Sequence, residues 1–280
     1  MSSATSVIAV RRAVPSDSKS IIALLVDLPN VYPGADLWID RTLDEVFAGK
    51  ASCTLACVDG AIVGIVIDKP KPDGRRKLST LYVDPGARGR GIARAIMDEA
   101  QRRWWTEGVV EVYVTCRIPR NDALTECLVM RGFVAGAILP NRYGQGHNEQ
   151  IFVWRPSRRA AIFSLWSRYA EAIWSGEKRF EFRRRRIGIT SGDRILVYET
   201  APISSVTGEF IAGAIIAGIP GEVRRRAGAG AGPGLDEYFA GAEIASGIRI
   251  VAPMHYVRPK PLSDFGLAHP PLSYTFLRTE

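Results

Sequence analysis

The chain is poor in the residues that staple or metallate small folds, with 4 cysteines and 3 histidines in 280 residues. Cys53, Cys57, Cys116 and Cys127 fall in or beside apolar runs, and no second cysteine pair or neighbouring histidine gives them metal-ligand spacing. Buried free thiols are therefore expected in place of disulfides or zinc, and no metal site is assigned. No apolar run reaches the ~20 residues that a membrane helix needs. The longest, CTLACVDGAIVGIVI and FIAGAIIAGIPG, are interrupted or glycine-rich, so no membrane partner is expected. The segment MSSATSVIAVRR lacks the basic end, long apolar stretch and cleavage site of a secretory signal, which makes the cytoplasm the expected location. No repeat with a period of about 20–50 residues is present, and this excludes a solenoid.

What is present is enough apolar material for two cores: 46% hydrophobic residues in a chain long enough for two domains. A net charge of +8 and a pI near 9.5 favour anionic partners, such as nucleic acid or phosphorylated cofactors. A polar seam at Pro156, Ser157, Arg158 and Arg159 separates two patterns. The expected domains are residues 1–155 and 160–280.

In the first half, strand-like and helix-like segments alternate. A strand near Ile8–Arg11 leads to VPSDSKSIIALLVDL, where Ser16 is placed to cap a helix with Ile21, Leu24, Leu25 and Leu28 on one face. CTLACVDGAIVGIVID reads as two strands joined by Asp59-Gly60, a two-residue hairpin signature. LSTLYV is a further strand, GIARAIMDEAQRRWW a helix, VVEVYVTC a strand and NDALTECLVMRGF a helix. The order implies a mixed, largely antiparallel α/β sheet.

The segment YVDPGARGRGIARA places three glycines between a strand and a helix start. There, successive backbone N–H groups and the positive end of a helix dipole can converge on an anion. Dinucleotide-type Gly-x-Gly-x-x-Gly spacing is absent, and no Gly-Lys-Ser/Thr follows. Arg88-Gly89-Arg90-Gly91-Ile92-Ala93 instead resembles the Arg/Gln-x-x-Gly-x-Gly/Ala motif of the GNAT superfamily of N-acetyltransferases, with LYVDP before it and MRGF about forty residues later in the family's order. The resemblance covers residues 6–154. It implies a GNAT mixed α/β fold with acetyl-CoA as cosubstrate. The pyrophosphate would lie on residues Arg88, Gly89, Arg90, Gly91, Ile92 and Ala93, the pantetheine arm along the backbone of Val83, and Asn121 would be a further contact. Leu128 stands where the family commonly has an acidic tyrosine, and Ser79 and Thr80 stand where relatives often carry a carboxylate. Tyr143 is the candidate replacement acid, and Asp68 and Glu45 are candidates to line the acceptor cleft.

In the second half, Ala170, Ile173 and Trp174 form a helical stripe that Gly176 ends. KRFEFRRRR then alternates, placing Lys178, Phe180, Phe182 and Arg184 on one face of a strand, and Arg179, Glu181 and Arg183 on the other. The Gly176, Lys178, Glu181, Arg183 spacing is similar to the signature of ASCH domains, β-barrels related to the PUA fold. GDRILVYETAPISSVTGEF and PLSDFGLAHPPLSYTFL fit the same family. The resemblance covers residues 160–280 and implies a PUA-like β-barrel with a pocket at Lys178, Glu181 and Arg183. It also implies one of three activities: RNA binding, helped by the arginine runs at 183–186 and 224–226, removal of acetyl from N4-acetylcytidine, or RNA cleavage. AGAGAGPG at 227–234 reads as a flexible loop. The combined expectation is an acetyl-CoA-dependent N-acetyltransferase joined to a domain that recognises RNA or a modified nucleoside. Its rival is an RNA-binding or transcription-linked regulator whose transferase half binds acyl-CoA without turnover.

Overall fold

A computed structural model describes residues 7–32, 34–119, 122–142 and 144–278. The chain forms two compact units, residues 1–119 with 136–153 and residues 120–135 with 154–280.

The first unit begins with β1 (Ile8–Arg12), then α1 (Ser18–Leu24), α2 (Leu28–Val31) and α3 (Ala35–Phe47). Ser16 does not cap α1 but lies inside the tight turn Pro15–Asp17. Asp17 organises that turn instead, because its carboxylate accepts from Val14 N–H at 2.8 Å and is held by Arg11 at 2.7 Å. The hairpin β2 (Ser52–Val58) and β3 (Ala61–Pro70) turns at Asp59 and Gly60, both left-handed, with φ of 50° and 82°. After β4 (Arg76–Val83) come α4 (Ile92–Thr106) and β5 (Val112–Arg117), then α5 (Asp122–Met130), which belongs to the second unit, and, back in the sheet, β6 (Val134–Leu139) and β7 (Glu149–Trp154). The sheet order is β1-β2-β3-β4-β5-β7-β6, antiparallel from β1 to β4 and parallel between β4 and β5. Ile21, Leu25, Ile39 and Leu43 cover one face through Leu55, Ile65 and Ile67, each fully buried aliphatic side chain contributing about 1.5–3 kcal/mol. Ile92 and Ile96 of α4 pack beside Gly64 and Ala56.

The second unit runs β8 (Ala160–Leu165), α6 (Ser167–Trp174), β9 (Phe180–Arg183), β10 (Arg194–Glu199), β11 (Ser205–Gly218), α7 (Pro220–Ala227), α8 (Leu235–Phe239), β12 (Ala245–Lys260) and β13 (Tyr274–Phe276). Its six strands order as β13-β8-β10-β11-β12-β9, a half-barrel around Phe163, Val197, Phe210 and Ile248. Side chains link the two edges of the sheet, with Arg183 Nη1 donating to Ser273 Oγ at 3.2 Å. Residues 120–135 pack with this unit: Met130 lies against the core of Phe180, Phe182 and Val223. The alanine-glycine tract departs from its reading as a flexible loop. Ala227 and Ala231 are buried, and a Cβ on Gly230 would stand 2.8 Å from the Phe180 ring, so the small residues are what lets the tract close over β9.

All four cysteines are free, and three are buried. Among the described residues, no cluster of three or more metal-ligating side chains occurs, and no helix is long and apolar enough to cross a membrane.

Candidate functional site

In the first unit the site is made where a ladder stops. Strands β4 and β5 pair only at Arg76–Val112 and Lys77–Tyr113, at the start of both, so among the described residues the far half of β4 has no β5 partner. Asp84 N–H bonds back to Val63 of β3 at 2.9 Å. Because hydrogen-bonding edges alternate along a strand, Val83 turns its N–H and C=O to the opposite, open edge. The chain then bends: Asp84 accepts from Gly86 N–H at 2.8 Å, and Gly89 and Gly91 take φ of 77° and 84°, a region that glycine reaches at little cost. No side chain caps the start of α4, so its first N–H groups face the loop with the positive dipole end behind them.

The expected anion-binding residues thus come together with different roles. Ile92 is 1% exposed and its side chain belongs to the core, leaving only its N–H for a ligand. Arg88 is exposed, and its Nε donates to the Val83 carbonyl at 3.2 Å, occupying one of the two groups that strand pairing with a ligand would use. Arg94, which sequence reading passed over, brings a guanidinium nitrogen to 3.7 Å from where a Gly91 Cβ would be. Its signal was helical geometry, since a side chain three residues past the N-cap points back over the cap. Asn121 and Tyr143 lie outside the described residues.

The two candidate cleft carboxylates are committed elsewhere. Asp68 is 0% exposed, 2.6 Å from Arg76 Nη1 and bonded by its other oxygen to Arg103, and Glu107 Oε2 lies 2.7 Å from Arg76 Nη2. Asp68 is an internal anchor at the closed end of the β4–β5 fork, fully buried with both oxygens held by guanidinium groups. Glu45 is paired with Lys69 at 2.7 Å, and the hydrogen bond from that ammonium holds its carboxyl below the usual carboxylate range.

In the second unit Glu181 is 4% exposed and lies between two cations, Lys178 Nζ at 3.2 Å and Arg183 Nη2 at 2.9 Å. Lys178 was expected on the opposite strand face. It joins Glu181 because β9 begins only at Phe180, and Lys178 precedes the alternating backbone. Arg183 lies over the Phe163 ring at 4.7 Å, and Lys178 over Tyr169 at 4.9 Å. Tyr238 of α8 donates to the Phe182 carbonyl at 3.3 Å, and burial pushes its phenol above the ordinary value. Arg184, Arg185 and Arg186 with Gly241–Ile244 line an open groove of about 570 Å³. Glu181 is thus a buried carboxylate with two charge partners, and Lys178 and Arg183 are each also engaged by an aromatic ring.

Comparison with known proteins gives each half of the chain its relatives. Residues 21–133 match the model of the Acetyltransferase (GNAT) family. An ASCH domain-containing ribonuclease of Zymomonas mobilis is 35% identical over 131 residues, covering 45% of this chain and 88% of that protein. A crystal structure of ASCH from the same organism aligns at 34% identity over 44% of this chain and 90% of that one, with a TM-score of 0.39. The crystal structure of ribosomal-protein-alanine N-acetyltransferase from Brucella melitensis aligns at 17% identity over 52% of this chain and 99% of that one, with a TM-score of 0.47. With a GNAT-family domain in its first half and well over two thirds of an ASCH protein matched by its second, the chain belongs to the ASCH-domain proteins and carries an acetyltransferase domain ahead of that module.

Proposed function

We propose that the protein is an acetyl-CoA-dependent N-acetyltransferase whose second unit recognises RNA or a modified nucleoside. The observation that carries the first part is the β4–β5 fork, which turns Val83 to an edge without a β5 strand, where the carbonyl meets Arg88 Nε, and which runs directly into a loop of left-handed glycines and a helix start with no side-chain cap. An extended amide-bearing arm fits the edge, and a pyrophosphate fits the N–H groups of Gly89 to Ala93, with Arg90 and Arg94 adding positive charge. When bound, acetyl-CoA supplies the activated acyl carbon. The chain's own tasks are to hold the thioester beside the fork, to admit a neutral amine, and to return a proton to the departing sulfur. Asp68 and Glu45 are committed to arginine and lysine, so we assign the last task to Tyr143, with water as the alternative.

Titration calorimetry of the full chain with acetyl-CoA tests the cradle. Binding in the micromolar range is expected, strongly weakened by Gly91→Glu, which sets a carboxylate against the pyrophosphate. Equal affinities would refute the assignment. Tyr143→Phe is expected to lower turnover by about 100-fold with acetyl-CoA affinity unchanged, and an unchanged rate returns the proton to water.

For the second unit, the paired Lys178–Glu181–Arg183 cluster and the arginine groove favour RNA recognition, as does the similarity to a ribonuclease. Neutralising Arg184–Arg186 is expected to weaken RNA binding and to flatten its salt dependence by about 0.7 units of slope for each single-strand phosphate that is no longer neutralised. Release of acetate from N4-acetylcytidine that is abolished by Lys178→Ala would replace this reading with hydrolysis.

A further inference from the structure

An exposed aromatic ledge adjoins the Lys178–Glu181–Arg183 cluster. Trp166 and Tyr169, at the start of α6, are 59% and 39% exposed. Their rings lie within 10° of parallel, with centroids 6.1 Å apart. Arg168 Cζ stands 4.7 Å from each centroid, and its Nη2 donates to the Tyr169 hydroxyl at 3.1 Å. Tyr169 also faces Lys178, the cluster's own cation, at 4.9 Å. The Tyr238 phenol lies within electrostatic reach of Tyr169, Glu181, Arg183 and Arg184, and Arg184 opens the groove that continues to Arg186. The rings thus adjoin the Lys178–Glu181–Arg183 cluster, and Arg184, next to Arg183 in sequence, begins the arginine row of the groove.

Large flat side chains are left in water at a cost unless something covers them. Here the apolar surface is only two rings wide and is edged by cations, too narrow for an amphipathic protein helix and of the right shape for a base. Sequence-tolerant binding of single strands uses this combination, aromatic faces for successive bases and cations for the backbone. We propose that Trp166 and Tyr169 form a base-stacking subsite that holds an unpaired RNA base next to the Lys178–Glu181–Arg183 cluster, with the adjoining phosphates along Arg184–Arg186. This rests on the reading of the second unit as an RNA-recognising module.

The test is fluorescence anisotropy of the full chain with a labelled single strand of about 12 nucleotides, a length that spans one site of this kind. Trp166→Ala is expected to weaken binding about tenfold, inside the roughly 5- to 150-fold span that one base–aromatic stack accounts for, while leaving the salt dependence as it was. Trp166→Phe is expected to retain most of the affinity. A strand carrying an abasic site at the stacked position should bind the unaltered protein as weakly as the intact strand binds Trp166→Ala, and should bind that variant no worse still. The abasic comparison needs only the unaltered protein, so it decides the matter even if Trp166→Ala does not fold. Tight RNA binding that is indifferent both to Trp166 and to the abasic site overturns the ledge and leaves the RNA reading intact. No RNA binding by the unaltered chain overturns both. Self-association that is lost in Trp166→Ala at constant RNA affinity overturns the subsite and assigns the ledge to an interface between copies of the chain.

Discussion

Replacing Asp68 by asparagine separates an anchor from a catalyst. The carboxylate is fully buried, with one oxygen 2.6 Å from Arg76 and the other bonded to Arg103. Asparagine preserves the shape but leaves two guanidinium groups facing a neutral amide. Removing one member of a buried ion pair costs about 3–5 kcal/mol. Glu107, 2.7 Å from Arg76 and 3.6 Å from Arg103, remains to offset part of the uncompensated charge, which puts the expected loss near the lower end, about 3 kcal/mol. At about 3–4 °C per kcal/mol for a unit of this size, Tm should fall by roughly 10 °C. Replacing Arg103 by methionine in the same chain removes one stranded cation and should recover part of the loss. Acetyl-CoA affinity, measured well below the transition, should be unchanged, because Arg76 stands at the closed end of the fork and Val83 at the open one. A Tm within about 3 °C of the parent, or a folded variant with turnover reduced about 100-fold and a shifted pH profile, would refute the anchor and return Asp68 to the acceptor cleft.

Burial pushes the thiols of Cys53 and Cys116 up to about 12, with the charges of Asp17 and Asp68 adding for Cys53 and that of Glu149 for Cys116. The native state thus keeps protons that the unfolded chain releases near its ordinary value of about 8.5, so their contribution to stability is intact below that pH and declines as pH rises towards 12. Urea midpoints measured across this range should fall with pH, with a shallower slope in Cys53→Ser, and an identical slope would contradict the assignment. Gly230→Val places a branched side chain where a Cβ is already 2.8 Å from Phe180, and about 1–3 kcal/mol of overpacking should appear as a lower urea midpoint. Glu181→Gln leaves Lys178 and Arg183 without their shared counter-charge; stability should drop measurably by calorimetry while the salt dependence of RNA binding steepens, and an unchanged Tm would mean the pairing contributes nothing.

Features set by backbone chemistry over a few residues could be read directly. Asp59-Gly60 gives a hairpin because both positions must be left-handed, and Gly89 and Gly91 give the loop for the same reason. Features that depend on which distant side chain arrives first could not. Nothing local reveals that Asp68 meets Arg76 and Arg103 and so is withdrawn from any cleft, or that Asp17 rather than Ser16 organises the first helical turn. The alternation rule misplaced Lys178 because it assumed that the strand began two residues early. The ledge at Trp166 and Tyr169 was invisible for another reason: exposure is a property of the folded surface, and in sequence both residues look like core material.

The polypeptide passes from one unit to the other after residues 119, 135 and 153. A gene split at the polar seam would therefore give a downstream fragment without residues 120–135. It would lack Met130, which seats on Phe180, Phe182 and Val223, and that apolar floor would open to water. Such a fragment should be recovered as aggregate unless a peptide spanning 120–135 is supplied in trans. The two units are then bound into a single unit of inheritance: recombination at the seam cannot exchange the module behind it without also exchanging the sixteen residues borrowed from upstream.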